Sequence, residues 1–152
     1  MSHAEWLQQQ IAALPPGVYR WAGDDGVDAL VEASSSTRRT TIAVNAGAHK
    51  SELFDAFANA YGFPSDSGRN WDALYDLLSD FAAGSTLVLD VRELFRASPH
   101  SWQKLRDILV DTSDWFNDPM SAYRQQLGDE AGAFTALVVG APKGDLTAVS
   151  PE

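Results

Sequence analysis

Apolar residues along this chain follow two rhythms, a helical spacing of three to four and a short run or alternation. The switches between them mark the elements. Over 4–14, AEWLQQQIAAL puts Trp6 or Leu7, Ile11 and Leu14 on one stripe, which predicts a helix that Pro15 and Pro16 end. GVYRW (17–21) alternates like a short strand, GDDG (23–26) is a turn, and VDALVEAS (27–34) reads as a short helix before the polar SSSTRR. TTIAVNA (40–46), rich in β-branched residues, reads as a strand. SELFDAFANAYGF (51–63) predicts a helix with Ser51 as N-cap and Glu52 in the first turn; Leu53, Phe54, Phe57, Ala58 and Tyr61 form its buried stripe. FPSDSG (63–68) is a loop, and Asn70 caps a helix over 71–81. GSTLVLDV (84–91) is a nearly continuous apolar run, as in a strand covered on both faces. RELFRA reads as a short turn of helix before Pro99. HSWQKLRDILVDTSDWF (100–116) predicts a helix capped by Ser101, with Trp102, Leu105, Ile108, Leu109 and Trp115 at helical spacing. NDPMSAYRQQLGDEAGA (117–133) is polar, with a helix expected over 120–127. FTALVVG (134–140) is a last buried strand and PKGDLTAVSPE a tail.

Three apolar strands alternating with helices predict an α/β fold: a small, mostly parallel sheet of about three core strands packed with helices, and GVYRW as an additional edge strand. The length, 152 residues, suits one domain, and 45% apolar with 21% charged residues is ordinary globular composition. Net charge changes the picture more. At −10 the chain repels nucleic acid and anionic lipid and attracts basic partners, so neither nucleic acid nor membrane is an expected partner. Without cysteine there are no disulfides, no thiol catalysis and no usual zinc site. The segment MSHAEWLQQQIAALPPG has no basic and apolar signal-peptide pattern, and no run of about 18 apolar residues occurs, so the expected location is the cytoplasm.

The helix over 71–81 carries the candidate chemistry. At 100° per residue, Leu74, Leu77, Leu78 and Phe81 cluster toward the core, while Asp72, Asp76, Ser79 and Asp80 fall on the opposite side. Tyr75 lies at the edge of that polar side and Trp71 at the boundary. Asp72 sits in the first turn, where the helix dipole favours an anion; Asp76 lacks that support, and like charges four apart repel. The face is either plain solvated surface or a binding face of carboxylates between aromatic anchors.

GRNWDALYDLL, preceded by a helix ending in YGFP and followed by the strand TLVLDV, resembles barstar and the barstar-related proteins, intracellular inhibitors of small secreted bacterial ribonucleases. Gly68, Asn70, Asp72, Ala73, Leu74 and Asp76 match the family's G-x-N-x-D-A-L-x-D core, and Tyr75 stands where the family has a ring or another large residue. The resemblance spans roughly 40–140. It implies a barstar-like domain over 40–141 with an insertion near 117–133, an N-terminal extension over 1–39 packed on it, and a C-terminal tail over 142–152. It also implies a non-enzymatic protein without cofactor, which binds a ribonuclease one-to-one and places carboxylates where RNA phosphates would lie. Carried onto this chain, Asp76 is the deepest phosphate mimic and Asp72 the second charged contact. Gly68 and Asn70 shape the loop, and Trp71 and Tyr75 pack around it. The family commonly has aromatics just before the motif glycine; here Asp66 and Ser67 stand there, and Asp66 substitutes electrostatically. Asp107, Asp111 and Asp114 on the helix over 100–116 read as a solvated face.

Other readings compete with this one. Asp72, Asp76, Asp90 and Asp111 have oxygens suited to Mg²⁺, but there is no D-x-D-x-D-G loop, and His3, His49 and His100 lack ligand spacing. A phosphoacceptor domain with Asp90 and Lys143 lacks its acidic pair, since Asn45, Ala46 and Gly47 occupy that place. Neither a G-x-S-x-G elbow nor a phosphate-binding glycine loop occurs. The non-enzyme rival is an immunity protein or interaction module on the same fold with a different partner.

Overall fold

The computed structural model describes residues 1–37, 39–122 and 132–149. Its elements are α1 (His3–Ala12), β1 (Val18–Trp21), α2 (Val27–Ser34), β2 (Thr40–Asn45), α3 (Lys50–Tyr61), α4 (Trp71–Phe81), β3 (Ser85–Asp90), α5 (Arg92–Ala97), α6 (Pro99–Asn117), β4 (Thr135–Val139) and β5 (Thr147–Val149). All strand pairs are parallel, in the order β2-β3-β4-β1-β5. The expected small parallel α/β sheet is thus present, with five strands.

Pleating divides the sheet between two apolar layers. Leu87 and Leu89 of β3 and Ala136 and Val138 of β4 join Leu53, Phe57, Leu74, Leu78, Trp102 and Leu105 on the face covered by α3, α4 and α6. Val88 and Leu137 turn the other way and meet Leu7, Ile11, Leu30 and Ala33 of α1 and α2. Every residue of β3 is buried, as the continuous apolar run requires.

Several expectations are corrected. GVYRW is not an edge strand: β1 lies between β4 and β5, because Thr147–Val149, in the segment read as tail, pairs with Tyr19–Trp21. Those three residues, TAV, are too few to show an alternation. α3 begins at His49, whose side chain makes no capping bond, and not at Ser51. α6 begins at Ser98, whose Oγ accepts from the Ser101 N–H at 3.2 Å, with Pro99 at the first turn, where its missing N–H costs nothing. On α6 the buried large residues are Trp102, Leu105, Ile108, Leu109 and Phe116, with Thr112; Phe116 and not Trp115 ends the stripe, and Trp115 is exposed. Phe81 does not enter the core either: the last residue of α4, it lies edge-on against Phe63 at 5.3 Å and is exposed. Most of the helix expected over 120–127, and of the insertion near 117–133, lies outside the described residues.

Candidate functional site

The site is built on α4 and the loop before it. α3 ends at Gly62, whose φ of 72° is the left-handed conformation glycine tolerates without Cβ strain. Its N–H and that of Phe63 both donate to the Ala58 carbonyl, at 2.9 and 3.0 Å. Pro64–Ser67 then forms a turn: the Ser67 N–H and Oγ both donate to the Pro64 carbonyl, at 3.0 and 2.7 Å. Gly68 follows with its Cα close to Ala73, where an added Cβ would come within 3.1 Å of the Ala73 Cβ. The small pair lets the loop lie tight on the first turn of α4. Asn70 caps that turn, its Oδ1 accepting from the Ala73 N–H at 2.8 Å. Arg69, between Gly68 and Asn70, forms an ion pair with Asp55 of α3.

On α4, Leu74 and Leu78 are buried and Leu77 half-buried, while Asp72, Asp76 and Asp80 are exposed. Burial of the leucine stripe fixes which way the carboxylates point. Asp72 and Asp76 take part in no ion pair or side-chain hydrogen bond among the described residues. Trp71 is half-buried, edge-on to Phe54 with centroids 5.2 Å apart. Tyr75 packs against the main core and lines a cleft of about 300 Å³ with Asp111, Asp114, Trp115, Asp118 and Ser121 of α6 and the residues after it. Asp66 is exposed on the turn before Gly68.

The structure therefore brings Gly68, Asn70, Trp71, Asp72, Tyr75 and Asp76 together, with Asp66 at one side. It adds Asp111, Asp114 and Asp118 across Tyr75. All three are exposed, as the solvated-face reading of Asp111 and Asp114 requires. The signal was the spacing 107, 111, 114, 118, which runs down the side of α6 opposite Trp102, Leu105 and Leu109. Asp107 differs, since its carboxylate takes the neighbouring Arg106 guanidinium at 3.0 Å.

Asp90 does not join the other acids. It ends β3 and is held by Arg92, whose Nη2 and Nε donate to it at 2.7 and 3.1 Å and whose backbone N–H donates at 3.0 Å. Burial alone pushes the Asp90 carboxyl up; the Arg92 bonds and charge outweigh it and hold the group below the usual carboxylate range. Among the described residues no group of three or more His, Asp or Glu is arranged to hold a metal ion, and no helix is long and apolar enough to cross a membrane.

Residues 37–134 match the family described as Barstar (barnase inhibitor). The chain belongs to the barstar family. The matched span takes in β2, α3, the loop, α4, β3, α5 and α6, so the whole site lies within it; α1, β1 and α2 lie before it. A comparison with curated proteins returns no match. The barstar family is a family of inhibitors and not of enzymes, and a ribonuclease such as barnase is the partner its description names.

Proposed function

We propose that this barstar-family chain inhibits a secreted bacterial ribonuclease by occluding its active site one-to-one with α4 and the loop before it. The observation that carries the reading is the outward-facing pair Asp72 and Asp76, unpaired among the described residues and one turn apart on a helix anchored by Leu74 and Leu78. A groove that holds RNA phosphates among Arg, Lys and His would take these carboxylates in the phosphates' place. Asp76 is the deepest mimic, Asp72 the second and Asp66 an outer one. Gly68 and Asn70 fix the loop, and Trp71 and Tyr75 supply the rings beside the acids. A net charge of −10 draws such an enzyme in over a distance and makes the association salt-sensitive. The activity calls for neither cofactor nor catalysis, and it belongs in the cytoplasm, where an enzyme made for export must be held inactive.

A second reading rests on Asp66 and Ser67 in place of the family's rings: an immunity protein or interaction module for another nuclease. RNA cleavage by barnase, and by the secreted ribonucleases of the source organism, is measured with and without one equivalent of the chain. Inhibition that disappears in Asp76→Ala supports the proposal. Capture of a nuclease without loss of its RNA cleavage favours the second reading. No slowing of any of these enzymes at micromolar chain would refute the first.

A further inference from the structure

Arg69 is the only cation between Pro64 and Phe81, a stretch that otherwise carries Asp66, Asp72, Asp76 and Asp80. A surface built to enter a cationic groove is weakened by a positive charge at its centre. Arg69 also has two candidate carboxylates close in sequence, Asp66 and Asp72, and a more distant one, Asp55. Its Nη2 is engaged by Asp55, on α3. We propose that Asp55 is a positioning residue for the partner-binding site, drawing the Arg69 guanidinium back onto α3 so that its charge is cancelled there and Asp72 and Asp66 stay free. This rests on the inhibitor reading above.

The surroundings support that role. The loop is not packed solid against α3: a groove of about 300 Å³ separates them, lined by Phe54, Phe63, Leu74 and Leu77, with Asp55 and Arg69 also on it. The bonds of the Pro64–Ser67 turn are internal to the loop. The ion pair is thus a side-chain link across the groove. Both partners are partly exposed, with side-chain exposures of 60% for Arg69 and 47% for Asp55, so water screens the pair and its contribution to global stability is small. Its effect falls on where a charge sits. Were Asp55 absent, the acids nearest to Arg69 along the chain would be Asp66 and Asp72, three residues to either side, and pairing there would neutralise a phosphate mimic.

The test is association kinetics of the full chain with barnase, or with whichever secreted ribonuclease it inhibits, at low and high salt. Asp55→Ala is expected to slow association roughly three- to tenfold at low salt, an effect that fades as salt rises. Arg69→Ala is expected to associate as fast as wild type or faster. Asp55→Ala/Arg69→Ala should recover the Arg69→Ala rate, and Asp55→Glu should behave as wild type. Equal slowing by both single variants with no recovery in the double would mean a packing role only and overturn the proposal, as would an unaltered rate in Asp55→Ala. If wild type inhibits no ribonuclease, the inhibitor reading is what fails. Amide hydrogen exchange then decides the positioning claim: Asp55→Ala should speed exchange at residues 67–70 severalfold, and unchanged exchange overturns it.

Discussion

Replacing Asp76 by alanine should make the protein more stable while removing its activity. On α4, Asp76 has Asp72 four residues before it and Asp80 four residues after it, and all three are exposed. Each like-charged pair at that spacing costs about 0.2–0.5 kcal/mol, so Asp76→Ala relieves two such repulsions. Alanine is also the better helix former, by roughly 0.5 kcal/mol. Asp76 forms no ion pair or side-chain hydrogen bond with the described residues, so the truncation loses nothing to set against these gains. The sum is about 1 kcal/mol of stabilisation, a rise in Tm of about 2–4 °C for a chain of this size. At about 1 M salt the Debye length falls to about 3 Å and the electrostatic half of the gain should vanish, leaving the propensity half. Asp72→Ala should differ. It also relieves a repulsion, but it gives up the favourable place of an anion in the first turn, about 0.3–1 kcal/mol, and so comes out near neutral. The assay is thermal unfolding of wild type, Asp76→Ala and Asp72→Ala at two salt concentrations, beside RNA-cleavage inhibition. Destabilisation of Asp76→Ala by about 1 kcal/mol or more would show that Asp76 has a stabilising partner inside the fold and refute the reasoning. Residues kept against the helix's own preference are expected at a site that serves a partner.

Other substitutions test the parts that hold the site. Asn70→Ala removes the cap on the Ala73 N–H and should cost about 1 kcal/mol in denaturant unfolding, with Asn70→Asp nearly unchanged. Leu78→Ala, in the layer between α4 and the sheet, should cost about 2–5 kcal/mol by the same measurement. For Asp90, the folded pKa lies below the unfolded one, so its contribution is present above the usual carboxylate range and is lost as pH falls through the folded value; Asp90→Asn should flatten stability against pH in that acidic window. Burial raises the Tyr61 hydroxyl to about 12, with the Ser85 hydrogen bond partly opposing, so its stabilisation is complete below the unfolded value and declines as pH rises through the folded one; an ultraviolet tyrosinate titration should lose a late-ionising tyrosine in Tyr61→Phe.

The sequence made α4 readable because its leucine stripe, its Asn70 cap and its acids agree with one helical period. β3 was readable for a similar reason, since a strand covered on both faces leaves no polar alternation to confuse it. Positions whose choice depends on neighbours are not legible in this way. Ser98 and Ser101 are both adequate caps by type, and only the Pro99 placement separates them. Trp115 and Phe116 are both large and apolar, and helical spacing admits either, since Trp115 follows buried Ile108 by seven and Phe116 follows buried Leu109 by seven; packing turns Phe116 inward. β5 is three residues long and exists by pairing with β1, an interaction between distant parts of the chain that no local pattern encodes. The acids of α6 are exposed, as a solvated face requires, and that Asp111 and Asp114 flank Tyr75 follows from how two helices pack, which no local pattern encodes.

The seating of β1 has a consequence for how the molecule comes together on the ribosome. Val18 finds Ala136, and Tyr19 finds both Leu137 and Thr147, so β1 has no strand to pair with until β4 and β5 have been made. Meanwhile β2 and β3, with α3 and α4 between them, can close over short stretches of chain. On the nascent chain Tyr19 and Trp21 can therefore meet α1 and α2 but no partner strand, and the second apolar layer closes only once β4 supplies Leu137.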